Sequence, residues 1–240
     1  MRSERFYGCL GLMVIILGTV LAQTVSAVTQ DQLYGPQLRF DIYRKASKVG
    51  EHIVDFRREG AVTIVRSQST IEIKLLFLTA YYFRYESVAR WRGDQMQQIN
   101  VRVDDNGSEL TFDSVYIPTK GYRTRVGKAQ TITSAPLFPT NHWHIAALRQ
   151  SRLLNTLTGE IAAVRISPVT NMQLKTPAGP IEAGRYDISG GVETSLWYDR
   201  QGRWVGMRFI GRDGTPVEYR CQQCESLQPT AQNTVLRLFK

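Results

Sequence analysis

Residues 81–112 read YYFRYESVARWRGDQMQQINVRVDDNGSELTF, and their alternation decides the fold class. Tyr81, Phe83, Tyr85, Ala89 and Trp91 share one parity, while Arg84, Glu86 and Arg90 occupy the other. Successive side chains of an extended chain leave opposite faces, so this stretch is a strand with one aromatic face and one charged face. Arg92-Gly93-Asp94 turns it into a strand carrying Ile99, Val101 and Val103, and Asp105-Asn106-Gly107 turns the chain again toward Leu110 and Phe112. Asp-Asn-Gly supplies the positive-φ residues that tight hairpins require.

The same period of two extends both ways. Upstream, Leu38, Phe40 and Ile42 alternate with Arg39 and Asp41, and Val49-Gly50 reads as the turn before Val54 and Phe56. Glu59-Gly60 precedes Val62 and Ile64, and Ile71, Ile73, Leu75 and Phe77 alternate with Glu72 and Lys74. Downstream, Val164 with Ile166, Met172 with Leu174 and Tyr186 with Ile188 mark strands. A closing meander follows: Leu196 and Tyr198, the turn at Asp199 to Gly202, then Val205, Met207 and Phe209, the turn at Asp213-Gly214, then Val217 and Tyr219. The tract from Pro118 to Pro139 has no sustained period and reads as loop with short strands. Thr140 and Asn141 are potential helix caps, and Ile145, Leu148, Leu153 and Leu154 recur near helical spacing until Thr158-Gly159, which predicts one main helix. The expected fold is mostly β: a strongly bent antiparallel sheet, or an up-and-down barrel or half-barrel, of roughly ten or more strands with that helix over an open face. Such closure leaves few exposed strand edges.

Residues 1–27 read as a cleaved signal peptide. Arg2 and Arg5 precede an apolar run from Cys9 to Ala22, and Val25-Ser26-Ala27 supplies a small-x-small exit. The run is too short for a mature membrane span, and beyond it nothing approaches the roughly 18 consecutive apolar residues that a span needs. Residues 28–240 are expected to form a single soluble β-rich domain, its core at about 36–221 with a short C-terminal tail, located in the periplasm or secreted. The formal net charge of +9 falls by only one when Arg2, Glu4 and Arg5 are removed. A basic surface favours anionic partners such as a membrane surface. Nucleic acid is not expected, because the address is extracytoplasmic and the basic residues are scattered with no basic run.

Several segments resemble a known family. Phe40-Asp41-Ile42-Tyr43 with Val49-Gly50-Glu51-His52, Asn141-His142-Trp143, Leu153-Leu154-Asn155 with Thr158-Gly159, Leu196-Trp197-Tyr198-Asp199 and Gly202-Arg203-Trp204-Val205 resemble an uncharacterised family of secreted bacterial proteins known as a domain of unknown function. The resemblance covers roughly residues 36–220. The closing meander also resembles that of periplasmic proteins with the lipoprotein-carrier type of fold, in which a bent sheet wraps a hydrophobic hollow closed by helices. That likeness implies lipid or acyl-chain handling.

Few residues carry obvious chemistry. His142-Trp143-His144, if extended, would put two imidazoles on one face, with His52 the one further histidine. Two histidines without a nearby acid fall short of the three or four donors of a usual site, so no metal or other cofactor is expected. The alternative places Trp143 in the core and the histidines toward solvent. Cys221-Gln222-Gln223-Cys224 could be a redox dithiol, half of a zinc site or a small disulfide loop, and in an oxidising compartment the disulfide is expected. Phe40, Phe77, Tyr81, Phe83, Tyr85, Trp91, Trp143 and Met207 form the candidate ligand-binding set, at positions expected to point inward. These residues either line a hollow for a lipid, acyl chain or other hydrophobic molecule, or simply fill the core. The first alternative makes the protein a carrier, and the second makes it a β scaffold acting in envelope assembly or interaction. A third is an envelope hydrolase or metal-dependent enzyme, for which no catalytic residue stands out.

Overall fold

The computed structural model describes residues 30–75 and 77–224. The expected signal peptide and the C-terminal tail lie outside the described residues.

Among the described residues fifteen strands form one sheet. The first eight are β1 (Gln37–Arg44), β2 (Ser47–Glu59), β3 (Val62–Leu75), β4 (Leu78–Arg92), β5 (Gln95–Asp105), β6 (Ser108–Ile117), β7 (Gly121–Val126) and β8 (Ala129–Thr133). The rest are β9 (Phe138–Pro139), β10 (Arg152–Leu154), β11 (Ile161–Thr176), β12 (Gly179–Gly190), β13 (Thr194–Asp199), β14 (Trp204–Ile210) and β15 (Pro216–Gln223). Each strand pairs with its neighbours in sequence except β8 and β9, and β1 also pairs with β15, so the sheet runs continuously through the two terminal strands and stays open between β8 and β9. The sheet edges, β8 and β9, are joined by residues 134–137. Pairing is antiparallel except between β9 and β10, which are parallel.

The inner face follows from the register. Cys221, Phe40, His52, Ser69, Tyr85, Val103 and Leu110 form one cross-strand row. Leu38, Val54, Ser67, Ser87, Val101, Phe112 and Val126 form the next. The alternating residues of the opening stretch thus behave as read: Tyr85, Ala89 and Trp91 are buried, whereas Arg84 and Arg90 are exposed.

The expected main helix does not form. Ile145–Arg149 makes a single 3₁₀ turn, and Leu153 and Leu154 belong to β10, paired with Phe138 and Pro139. Leu153 and Leu154 are fully buried, as are Leu137 and Trp143 to within 2%. Residues 137–156 therefore act as an internal plug, and burying these side chains against the curved wall outweighs a modest helical tendency.

The Val49-Gly50 turn is also corrected: the chain reverses at Lys45-Ala46, and Gly50 lies within β2 opposite Ile71. A Cβ on Gly50 would sit 1.9 Å from the Thr70 carbonyl oxygen. Glycine here marks a close backbone approach between strands, which a local reading cannot tell from a turn.

Candidate functional site

The inner wall contributes a polar patch inside an aromatic core. His52, Ser67, Ser69 and Ser87 lie on adjacent positions of β2, β3 and β4 and are all buried. Facing them, the plug presents Asn141, His142 and Thr156, also buried. Asn141 joins wall to plug, since its Oδ1 accepts from Tyr85 Oη at 2.5 Å and its Nδ2 donates to Ser87 Oγ at 3.1 Å. His52 Nδ1 lies 2.6 Å from Ser69 Oγ.

His142 has φ of 61°, in the left-handed region where a non-glycine residue needs external support. Two tyrosines supply it. Tyr198 Oη donates to the His142 carbonyl at 2.6 Å, and Tyr34 Oη donates to the Trp143 carbonyl at 2.7 Å. The Tyr34 hydroxyl in turn accepts from Trp204 N–H at 2.7 Å. Trp204 lies between the two buried imidazoles, with ring centroids 5.5 Å from His52 and 5.7 Å from His142. The histidines are therefore not turned to solvent. A packed plug forces them inward, and their spacing in sequence carries no sign of this.

Burial dominates the electrostatics. It lowers the His52 pKa to about 3, helped by the charge of His142, and lowers that of His142 to about 4. Both imidazoles are neutral at neutral pH. His144 is lowered less, because Asp94, 3.1 Å from its Nε2, opposes the desolvation. Burial pushes the Tyr85 and Tyr219 hydroxyls up to about 12. His52 Nε2, Ser67 Oγ and His142 Nδ1 are buried with no hydrogen-bond partner among the described residues.

This arrangement holds the plug in place more readily than it supports chemistry. Ser69 and His52 have nucleophile–base geometry, but Phe40, Trp204 and Tyr219 rings surround the imidazole. Among the described residues no three His, Cys, Asp or Glu side chains converge as a metal would require. Two open clefts lie apart from the candidate aromatic set. One of about 440 Å³ is lined by Arg92, Asp94, Gln95, Tyr122 and Leu137, and the other of about 280 Å³ by Glu182, Tyr186, Tyr198 and Arg200.

The eight candidate aromatic and methionine positions divide into three groups. Phe40, Tyr85, Trp91 and Trp143 are buried in the plugged zone, where Trp91 meets Trp143 edge to face at 5.3 Å and Phe40 meets Trp204 at 4.3 Å. Tyr81, Phe83 and Met207 are half-buried at the opposite end of the inner face, beside Ile71, Leu110 and Phe209. Phe77 corrects the inward reading: it is 99% exposed, because β3 ends at Leu75 and the alternation does not survive the turn. Cys221 and Cys224 form a disulfide at the end of β15. Sequence reasoning missed the polar half of the site, because isolated serines at inward positions do not stand out from surface serines until the register is known.

Fold and site together define a β-barrel-like protein whose interior is occupied by a segment of its own chain. The chain belongs to the family described as Domain of unknown function (DUF6134), which matches residues 40–222. No curated protein matches it. A similar solved structure is the beta-barrel-like protein of domain of unknown function DUF1849 from Brucella abortus, at 8% identity and a TM-score of 0.57, covering 80% of this chain and 97% of that one. At that identity the likeness is one of fold.

Proposed function

We propose that this protein is an exported, non-catalytic β scaffold of the bacterial envelope that acts through its outer surface as an assembly or interaction factor. The observation that carries this reading is the plug: Asn141, His142 and Trp143 occupy the inner face, and four of the eight candidate ligand residues pack in the same zone. A cargo there would have to displace a buried hydrogen-bonded network, leaving Tyr85 and Ser87 without Asn141 at a cost of about 1–3 kcal/mol for each group. The basic surface and the expected signal peptide fit an anionic envelope setting.

One feature favours a carrier as the second reading. Tyr81, Phe83, Met207 and Phe209 are half-buried at the end of the inner face away from the plug, an apolar surface suited to an acyl chain. Native mass spectrometry of protein purified from the periplasm separates the two. The scaffold reading expects the bare processed chain, and a stoichiometric retained lipid that survives gel filtration would overturn it in favour of the carrier.

A further inference from the structure

The β3–β4 hairpin is longer than the sheet around it. On one side β2 pairing ends at Gly50–Ile71, and on the other β5 pairing ends at Phe83–Asp105, yet β3 and β4 continue to pair with each other as far as Leu75–Leu78. The β5–β6 turn holds Tyr82 through Asn106 N–H to its carbonyl at 2.9 Å, and the four residues Leu78 to Tyr81 run past that bond, a projection of roughly 13 Å at the rise of a strand. A two-stranded ribbon is marginal in water, and residues at its tip have no sheet face to pack against. Phe77 is 99% exposed and Leu78 76% exposed.

The ribbon is graded from tip to base. Directly behind the apolar tip Lys74 stands opposite Thr79, then come Tyr81 and Tyr82 and, nearer the base, the exposed cation Arg84, 5.6 Å over the Tyr82 ring. The ribbon's single acid, Glu72, is held by Lys74 at 3.5 Å and accepts from Thr79. The meander brings further turns to this end, and two of them add exposed Lys45 and Lys128, which have no ion pair among the described residues. Acids there include Asp105, paired with Arg212, Asp213 with Arg44 and Glu109 with Arg102, while Asp104 and Glu193 accept from backbone N–H groups of their own turns. An apolar tip backed by a lysine, two tyrosines and an arginine suits an anionic bilayer, because tyrosines favour the interface and the long lysine and arginine side chains carry their charges back to the headgroups.

We infer that the β3–β4 ribbon docks the protein on an anionic phospholipid bilayer, with Phe77 and Leu78 entering the acyl layer and Lys74 and Arg84 meeting the headgroups. This names a partner for the surface-acting scaffold and builds on that reading, but its test is separate. The mature protein is sedimented with vesicles of phosphatidylglycerol and phosphatidylcholine, and with phosphatidylcholine alone, at low and high salt. Binding is expected for the anionic vesicles, weakened by salt. Phe77→Ser with Leu78→Ser should reduce partitioning roughly tenfold or more at unchanged melting temperature. Lys74→Ala with Arg84→Ala should remove the preference for anionic vesicles. Wild-type protein that stays in the supernatant, or a serine variant that binds as well as wild type, would overturn the inference. A retained lipid in native mass spectrometry alongside tip-dependent vesicle binding would sink the filled-scaffold reading alone.

Discussion

Two of the three buried histidines, His52 and His142, make acid a specific threat to this core. Each has a folded pKa below the roughly 6.5 of an unfolded histidine, so between the two values the unfolded chain binds more protons. Stability is then fully present above about pH 6.5 and is lost as pH falls toward 4 for His142 and toward 3 for His52, at about 1.4 kcal/mol per pH unit for each group. Denaturant midpoints at pH 7.5, 6, 5 and 4 should fall progressively, with the decline beginning near 6. A His52→Gln variant should show a shallower decline. An equally steep fall in that variant would assign the acid sensitivity to carboxylates instead. The polar network also explains why a substitution at His142 would be poorly tolerated by shape alone, since a β-branched residue is strained at φ of 61°.

At the scale of elements, strands were legible and the plug was not. Alternation over Tyr81 to Trp91 was enough to place a wall strand, because a two-residue period is a property of the chain itself. Residues 140–158 show helix-like spacing of Ile145, Leu148, Leu153 and Leu154, but their conformation is set by a curved wall contributed by distant strands. Gly50 illustrates the same boundary from the other direction. Its role is a close approach to the Thr70 carbonyl, and Gly50→Ala should therefore destabilise the domain by a few kcal/mol, in the manner of an overpacked core. Thermal melting would show it, and a variant as stable as wild type would mean that β2 and β3 can separate at that point at little cost.

Across the whole molecule, the inner face has two zones, and matched substitutions should report them differently. Phe40 is fully buried among Trp204, His52 and Tyr219, whereas Phe83 is half-buried at the end away from the plug, between Ile71 and Asp105. Phe40→Glu buries an unpaired charge, which costs several kcal/mol of a stability of roughly 5–15 kcal/mol, and should abolish the cooperative transition. Phe83→Glu should keep the near-ultraviolet circular dichroism signature and a cooperative melt at a lower temperature, because solvent reaches the new charge. Loss of the transition in both variants would mean that the end away from the plug is packed as tightly as the plugged end.

By itself the sequence determined the mostly β class, the meander order, the charged outer and aromatic inner faces, and the resemblance to a domain of unknown function. The first three follow from local period and turn chemistry, and the resemblance from particular segments such as Phe40–Tyr43 and Gly202–Val205. Only the tertiary structure decided that β1 meets β15, that residues 137–156 fill the interior without a helix, that the histidines are buried, and that Phe77 points away from the core. Each of those outcomes depends on contacts between residues far apart in the chain, and their energies appear only once the sheet has curved around the plug.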